Sequence, residues 1–283
     1  DGILDAQIQI TRRVIESLGR CKVIARYGIG VDTIDVSAAT EHGIIVANVP
    51  DYCVEEVANH TIAFLLACAK KIVLLDRHMR QGKWPRELLA PMAQIYGQTL
   101  GLVGFGRIAR AVAGKAKVFG LSVIVYDPYL MEESAREHGV KLVSFDELLR
   151  ESDFISIHVP LTKETRHMFG RREFQKMKKG AFLINVARGP VVDEQALIEA
   201  LKGGEIAGAG LDVFEKEPLD AGSELLTLDN VVLTPHSAFY SDAAYRELRR
   251  RTAFEVARVL SGQWPTALAN PEVRGRSRME LGG

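Results

Sequence analysis

The chain has 283 residues, of which 47% are hydrophobic and 25% are charged, and its formal net charge is zero. These are ordinary values for a globular protein, so the chain is long enough for a sizeable core and about one to three domains. Without excess positive charge or a basic stripe, the composition gives no support for nucleic acid as a partner.

Cysteine content and hydropathy indicate the cellular compartment in which the protein resides. Cys21, Cys53 and Cys68 are odd in number and form no C-x-x-C pair, which favours reduced thiols over a disulfide frame or a metal site. The longest apolar helical pattern, Val57–Leu75, is interrupted by His60 and two lysines, so we expect no membrane span. With no signal peptide in view, we predict a cytoplasmic protein.

The N-terminal part of the chain alternates between short strands and helices. Lys22–Ala25 and Ile44–Ala47 are predicted strands, and Asp35–His42 is a predicted helix closed by a glycine. Val49-Pro50 then breaks the pattern and indicates a domain boundary. The periodicity of Glu55–Gln81 predicts one long helix, and an irregular, proline-containing arm follows at residues 84–96.

Residues 99–113 carry the strongest motif. A β-branched and leucine-rich run, the predicted strand Thr99–Val103, meets the G-x-G-x-x-A pattern of Gly104, Gly106 and Ala109 and continues into an alanine-rich helix. The first glycine permits a tight turn, the second lets backbone approach a pyrophosphate, and the helix N-terminus holds the phosphates. A second predicted strand, Ser122–Tyr126, ends at Asp127, 23 residues after Gly104. A carboxylate there accepts hydrogen bonds from the adenosine ribose and repels a 2′-phosphate, so we predict a site for NAD.

After Asp127 the pattern alternates between strands and helices, which predicts a doubly wound parallel α/β sheet of the Rossmann type. We expect an NAD-binding domain at residues 50–241 and a smaller, flavodoxin-like α/β substrate domain built from residues 1–49 and 242–283. The predicted strands are Phe154–His158, Ala181–Asn185, Ile206–Leu211 and Val231–Leu233, and the predicted helices are Phe145–Arg150, Arg171–Met177, Glu194–Leu201 and Asp242–Leu260.

Charged side chains follow three of these strands. Ligands of open parallel sheets lie beyond the carboxyl ends of the strands, where Arg188, Glu217 and His236 fall. Hydride transfer at a carbonyl carbon needs a proton donor near neutral pH, and imidazole suits this role. We predict His236 as acid/base, Glu217 as the carboxylate that orients it, and Arg188 as the clamp for a substrate carboxylate. Each could instead be a surface residue, and their joint position at one edge favours the catalytic interpretation.

With these motifs in view, the chain resembles the D-isomer-specific 2-hydroxyacid dehydrogenase family over nearly its whole length. The matching segments are RYGIGVDTID at 26–35, LVGFGRIA at 102–109, YDP at 126–128, HVPLTKET at 158–165, NVARGPVVDEQAL at 185–197, GAGLDVFEKEP at 208–218 and NVVLTPHSAFYS at 230–241. The resemblance implies a two-domain enzyme that transfers a hydride between NAD(H) and C2 of a 2-oxo or D-2-hydroxy acid, usually as a homodimer. It also implies a first strand and helix before Asp1, so we expect a substrate domain truncated at its N-terminus.

The resemblance assigns further residues. It implies that Asp212 lies near the nicotinamide carboxamide and that the backbone at Ile29 and Gly30 contacts the substrate carboxylate. Independently of the resemblance, Arg26 is one candidate cation for a phosphorylated substrate, which would need positive charge in the smaller domain. The remaining positions that match the cofactor site are Thr61, Arg107, Ile108, His158, Val159, Pro160, Thr165, Val186 and Ala187.

The segment after His236 departs from the family's common pattern. Ser237-Ala238-Phe239 is closer to the branch that contains the C-terminal-binding proteins and hydroxypyruvate-reductase-like members, in which an aromatic residue at the Phe239 position lies against substrate. Glyoxylate or hydroxypyruvate reductase, phosphoglycerate dehydrogenase and D-lactate dehydrogenase activities all stay open, as does an NAD(H)-binding corepressor-like scaffold.

Overall fold

The computed structural model describes residues 1–92, 94–280 and 282. The chain forms two compact units, Asp1–Cys53 with Tyr240–Gly283, and Val54–Phe239. These divisions fall at 53/54 and 239/240, beside the predicted boundaries at 49/50 and 241/242. Leu281 and Gly283, which the predicted substrate domain includes, lie outside the described residues.

The smaller unit contains a three-stranded parallel sheet in the order β1-β2-β3. Strands β2 and β3 are almost entirely buried, and the side chain of Asn270 accepts a hydrogen bond from Val46 N–H at 2.8 Å, which ties the C-terminal segment to β3. Asp35 caps the second helix by accepting from Ala38 N–H at 2.8 Å. The elements are β1 (Gly2–Asp5), α1 (Arg12–Ser17), β2 (Val23–Arg26), α2 (Val36–Glu41), β3 (Ile45–Ala47) and, from the other chain end, α10 (Asp242–Leu260).

The larger unit is built on a seven-stranded parallel sheet in the order β10-β9-β8-β7-β4-β5-β6. Its strands are β4 (Thr99–Val103), β5 (Ser122–Tyr126), β6 (Lys141–Leu142), β7 (Phe154–Ile157), β8 (Phe182–Asn185), β9 (Gly208–Leu211) and β10 (Val231–Leu233). Its helices are α3 (Val54–Ala69), α4 (Ile72–Arg80), α5 (Arg107–Val118), α6 (Glu132–Glu137), α7 (Phe145–Glu151), α8 (Arg171–Lys176) and α9 (Glu194–Gly203). Two clusters of buried side chains pack on the sheet, one involving α3 and α5 and the other α7, α8 and α9. This order, with its reversal between β4 and β7, is the doubly wound fold that the sequence predicts.

The prediction of one helix over Glu55–Gln81 is wrong. The chain forms α3 and α4, which are bent by 63° at their junction, where Lys71 adopts a left-handed conformation with φ of 52°. The ammonium group of Lys71 donates to the Leu88 carbonyl at 2.9 Å. Helix α3 buries eight residues, whereas α4 buries none, so core packing does not extend the first helix through the junction. The helical periodicity continues across the break, which is why the pattern alone missed it.

No single helix among the described residues is long and apolar enough to cross a membrane. Only α3 and α4 taken together, across their bend, pass a test of length and composition.

Candidate active site

The glycine-rich loop lies where the strand order of the larger sheet reverses. Val103 and Ile157 pair at the ends of β4 and β7, so Gly104 and His158 emerge side by side. A Cβ atom on Gly104 would lie 2.9 Å from the His158 carbonyl oxygen, and Gly104 has a φ of +87°. Both facts require glycine at this position.

Gly106 is the N-cap of helix α5, and beyond its two chain neighbours no atom of the described residues lies within 4 Å of the point where its Cβ would stand. The open space in front of this 12-residue helix lets a phosphate approach the backbone N–H groups, which fits a dinucleotide pyrophosphate. Arg107 is exposed and Ile108 half-buried in the first helical turn. Ala109 is fully buried, as the close packing of helix on strand requires.

Asp127 follows β5 and is fixed beside this loop. Its Oδ2 accepts a hydrogen bond from Phe105 N–H at 2.9 Å, and its Oδ1 accepts from Tyr129 N–H at 2.9 Å. The carboxylate therefore stands next to the glycine loop at the position predicted for the adenosine ribose.

His236 and Glu217 form a close pair after β10 and β9. Nδ1 of His236 lies 2.7 Å from Oε2 of Glu217, and both side chains are about one-third exposed. Oε1 of Glu217 accepts from Phe214 N–H at 3.0 Å, so both carboxylate oxygens have partners. His236 has a φ of 51°, a strained conformation for a residue with a side chain and one that concentrates at functional sites.

The surroundings favour the ionised form of Glu217. Burial alone raises the pKa of a carboxyl group, but hydrogen bonds from His236 and Phe214 N–H oppose this effect. The charges of His236 and Arg188 add to them, and the net result is a lowered pKa for Glu217. A carboxylate in this state can orient an imidazole and stabilise its positive charge.

Arg188 lies on the loop after β8, which packs directly on the turn that carries Glu217. A Cβ on Gly189 would stand 1.9 Å from the carbonyl carbon and oxygen of Phe214, so only glycine allows this approach. The side chain of Asn185 donates to the Arg188 carbonyl at 3.0 Å and accepts from Ala187 N–H at 3.1 Å. Gly189 and Asn185 thus position the site although the sequence analysis assigned them no role; the glycine next to a candidate arginine was the available signal.

Asp212 is buried and holds the loop that carries His236. Its carboxylate accepts from Ser237 N–H and Ala238 N–H, both at 2.8 Å, and from the hydroxyl of Thr234. Through these contacts Asp212 stabilises the conformation of the loop. Its predicted position near the nicotinamide carboxamide stays a prediction.

The other predicted cofactor residues occupy two loops and one helix. The loop that begins with His158-Val159-Pro160 continues β7 at the same sheet edge. In it, the Thr165 hydroxyl donates to the Pro160 carbonyl at 2.6 Å. Burial lowers the pKa of His158 to about 3, and its Nε2 lies 2.9 Å from the Ser156 hydroxyl. Thr61 is fully buried in α3 and donates to the Val57 carbonyl at 2.8 Å. Val159, Thr165, Val186 and Ala187 are half-buried.

The predicted substrate residues divide between the units. In the smaller unit, the guanidinium of Arg26 lies 3.8 Å from Asp5 and also donates to the Tyr27 carbonyl, and Ile29 accepts from Asn48 at 2.6 Å. Gly30 follows in the same half-buried turn. In the larger unit, the Phe239 ring packs edge-on to the His236 ring, with 6.4 Å between centroids.

Comparison with known proteins agrees with this geometry. The family model described as "D-isomer specific 2-hydroxyacid dehydrogenase, NAD binding domain" matches residues 62–238, more than half of the chain. A glyoxylate reductase from Korarchaeum cryptofilum is 46% identical over 272 residues, which are 93% of this chain and 80% of that protein. A D-3-phosphoglycerate dehydrogenase from Methanocaldococcus jannaschii is 45% identical over 93% of this chain, which spans only 50% of that longer protein.

A solved structure gives the same result. The D-lactate dehydrogenase of Aquifex aeolicus, in complex with NAD and lactic acid, superposes with a TM-score of 0.85 at 34% identity, covering 100% of this chain and 87% of that one. The chain belongs to the D-isomer-specific 2-hydroxyacid dehydrogenase family. It is an NAD-dependent oxidoreductase that interconverts 2-oxo acids and 2-hydroxy acids.

Proposed function

We propose that the chain reduces a small 2-oxo acid of the glyoxylate class with NADH, using His236, Glu217 and Arg188. The 2.7 Å pair between His236 and Glu217 carries this proposal. The glyoxylate reductase relative supports the substrate class, because this chain covers 80% of its length. Glyoxylate and hydroxypyruvate are the first candidates within the class.

The roles follow from the contacts. Glu217 accepts a hydrogen bond from Nδ1–H of His236, and the protonated imidazole donates its Nε2 proton to the carbonyl oxygen of the acid as the hydride reaches C2. Arg188 binds the acid's carboxylate and polarises the carbonyl, since a guanidinium matches a carboxylate in geometry. NAD(H), when bound, supplies or accepts the hydride at C2. In the oxidising direction His236 takes the proton from the hydroxyl group.

The test measures the rate of NADH oxidation, by the loss of NADH absorbance, with five candidate acids. These are glyoxylate, hydroxypyruvate, pyruvate, 4-methylthio-2-oxobutyrate and phosphohydroxypyruvate. We expect glyoxylate or hydroxypyruvate to give the highest kcat/KM, and His236→Gln to lower kcat by about a hundredfold or more while NADH still binds. Tight NADH binding without turnover of any acid would contradict the proposal and favour a corepressor-like scaffold. Near-normal turnover by His236→Gln would remove His236 from the mechanism.

We also propose that the protein is a homodimer that pairs through α4 and the arm after it. No residue of α4 is buried, and large apolar side chains stay exposed there, including Ile72, Met79 and Trp84, the last at 74%. Several large apolar side chains exposed on one segment favour an interface there. Light scattering should give twice the chain mass, and Trp84→Glu combined with Met79→Glu should give the monomer mass. An unchanged mass in the double variant would place the interface elsewhere.

A cytoplasmic location completes the proposal. All three cysteines are buried, and Cys21 and Cys68 are free thiols, which suits a reducing compartment.

A further inference from the structure

His60 of helix α3 contacts the loop that leads to His236, although no part of the mechanism uses it. Its Nε2 lies 3.0 Å from the hydroxyl oxygen of Thr234, which stands two residues before His236. Its ring packs edge-on to Phe64, with centroids 4.6 Å apart and planes at 88°. The imidazole is therefore fixed by an aromatic neighbour and aimed at one polar atom.

The direction of the hydrogen bonds can be assigned. The Thr234 hydroxyl has one hydrogen and donates it to Oδ1 of Asp212. Its oxygen is then left to accept, so His60 Nε2 carries a hydrogen and donates it to Thr234. The result is a hydrogen-bond network in which His60 donates to Thr234 and Thr234 donates to Asp212.

Asp212 connects this hydrogen-bond network to the backbone around His236. Its carboxylate accepts from Ser237 N–H and Ala238 N–H, and its carbonyl oxygen accepts from His236 N–H at 2.7 Å. The strained φ of 51° at His236 persists only if its surroundings hold it. The residues on both sides of His236 are thus tied to Asp212.

We propose that His60 is a positioning residue for the dehydrogenase reaction, holding loop 234–238 through Thr234 and Asp212 so that the His236 ring stays in its reactive place. The inference rests on the proposed role of His236 as the proton donor. The proposal adds His60 of helix α3 to the residues that support the reaction. His60 does not contact substrate in this role but acts on His236 through Thr234 and Asp212.

The environment of His60 suits a neutral donor. Burial lowers its pKa, while the charge of Asp212, whose Oδ1 lies 3.9 Å from Nε2, acts in the opposite direction. The net pKa is lowered, so a neutral imidazole with its hydrogen on Nε2 fills the position at neutral pH.

The experiment compares His60→Phe, His60→Gln and the control His42→Phe in the full chain. Phenylalanine keeps an aromatic ring beside Phe64 but cannot donate, whereas the amide of glutamine can reach the Nε2 position and donate. His42 caps helix α2 of the smaller unit through its bond to the Ala38 carbonyl and is not a member of the hydrogen-bond network, which lies in the larger unit. The two readouts are kcat and KM for NADH with the best acid, and amide hydrogen exchange of peptides spanning 234–239 without cofactor.

We expect His60→Phe to lower kcat by about tenfold with little change in the KM for NADH, because a misplaced reacting group affects turnover before binding. Exchange at Ser237 and Ala238 should speed up, and His60→Gln should return both readouts toward wild type, while His42→Phe changes neither. Unchanged exchange in His60→Phe, an unchanged kcat, or equal losses in His60→Phe and His60→Gln would overturn the inference. If the wild-type protein reduced no acid, the proposed function would fail, and the exchange readout would still report whether His60 holds the loop.

Discussion

The Nδ1 atom of His236 and the Oε2 atom of Glu217 are 2.7 Å apart, and the other oxygen of the same carboxylate holds the backbone of its own turn at Phe214. One carboxylate thus fixes the imidazole and the turn that presents it. Because the Nδ1 proton is committed to Glu217, the opposite ring nitrogen faces the chemistry.

Replacing Glu217 by glutamine tests how much the negative charge of Glu217 contributes to catalysis. The amide can still accept from Nδ1, but it cannot stabilise an imidazolium, so kcat should fall by about a hundredfold or more. Glu215→Gln is the matched control, because Glu215 stands two residues earlier and pairs with His167 at 2.6 Å instead. Steady-state kinetics with NADH would show equal effects of the two variants if the assignment of Glu217 were wrong.

Gly189→Ala should damage both stability and activity. Its Cβ would fall 1.9 Å from the Phe214 backbone, so the Arg188 loop and the Glu217 turn must separate. We expect a loss of about 3 kcal/mol in the free energy of unfolding measured in urea, together with a lower kcat. Gly180→Ala serves as the control, since beyond its chain neighbours no described residue has an atom within 4 Å of its Cβ position. Similar unfolding midpoints for the two variants would refute the packing argument.

Asp127 should control the choice between NADH and NADPH. Asp127→Asn keeps an acceptor for Phe105 N–H but removes the charge that opposes a 2′-phosphate. The ratio of kcat/KM for NADPH to that for NADH should therefore rise. Asp127→Ala loses the acceptor as well, so it should also weaken NADH binding. An unchanged cofactor ratio in Asp127→Asn would show that its charge plays no part.

His158 should make stability depend on pH in the acid range. Burial lowers its pKa from 6.5 to about 3, so between these values the unfolded chain binds a proton that the folded chain does not. The stabilising contribution is complete above pH 6.5 and is lost as the pH falls toward 3. In urea unfolding between pH 4 and 6, His158→Asn should flatten the slope by up to about one proton, or about 1.4 kcal/mol per pH unit. Above pH 7 the two slopes should coincide, and identical slopes at pH 4 to 6 would contradict the prediction.

The sequence predicted the architecture of the larger unit well because its signals are local. Strands β4, β5 and β10 have the predicted bounds, and the predicted parallel, doubly wound sheet is confirmed. A buried parallel strand reads as a continuous apolar run, and a glycine loop that joins such a strand to a helix is typical of dinucleotide-binding sheets. Placement after strand ends likewise led to His236 and Glu217, which the fold then brings into contact.

Other features depend on tertiary packing that no local pattern records. The bend at Lys71 lies within an unbroken helical periodicity, and it coincides with the point where burial of the helix in the core ends. The short elements β1, α1, α6 and β6 were not predicted, because segments of two to six residues carry too little periodicity. The contact of His60 with Thr234 joins segments far apart in the sequence, so only the folded chain reveals it.

The backbone contact at Gly189 also constrains how such an enzyme could change its substrate during evolution. The Arg188 loop and the Glu217 turn are in contact without an intervening side chain, so mutation cannot adjust one and leave the other in place. New acids would have to be accommodated by residues outside this rigid pair, and Phe239, whose ring borders that of His236, is the position in this unit best suited to vary. Selection could then reshape the pocket while the proton-transfer apparatus stays intact.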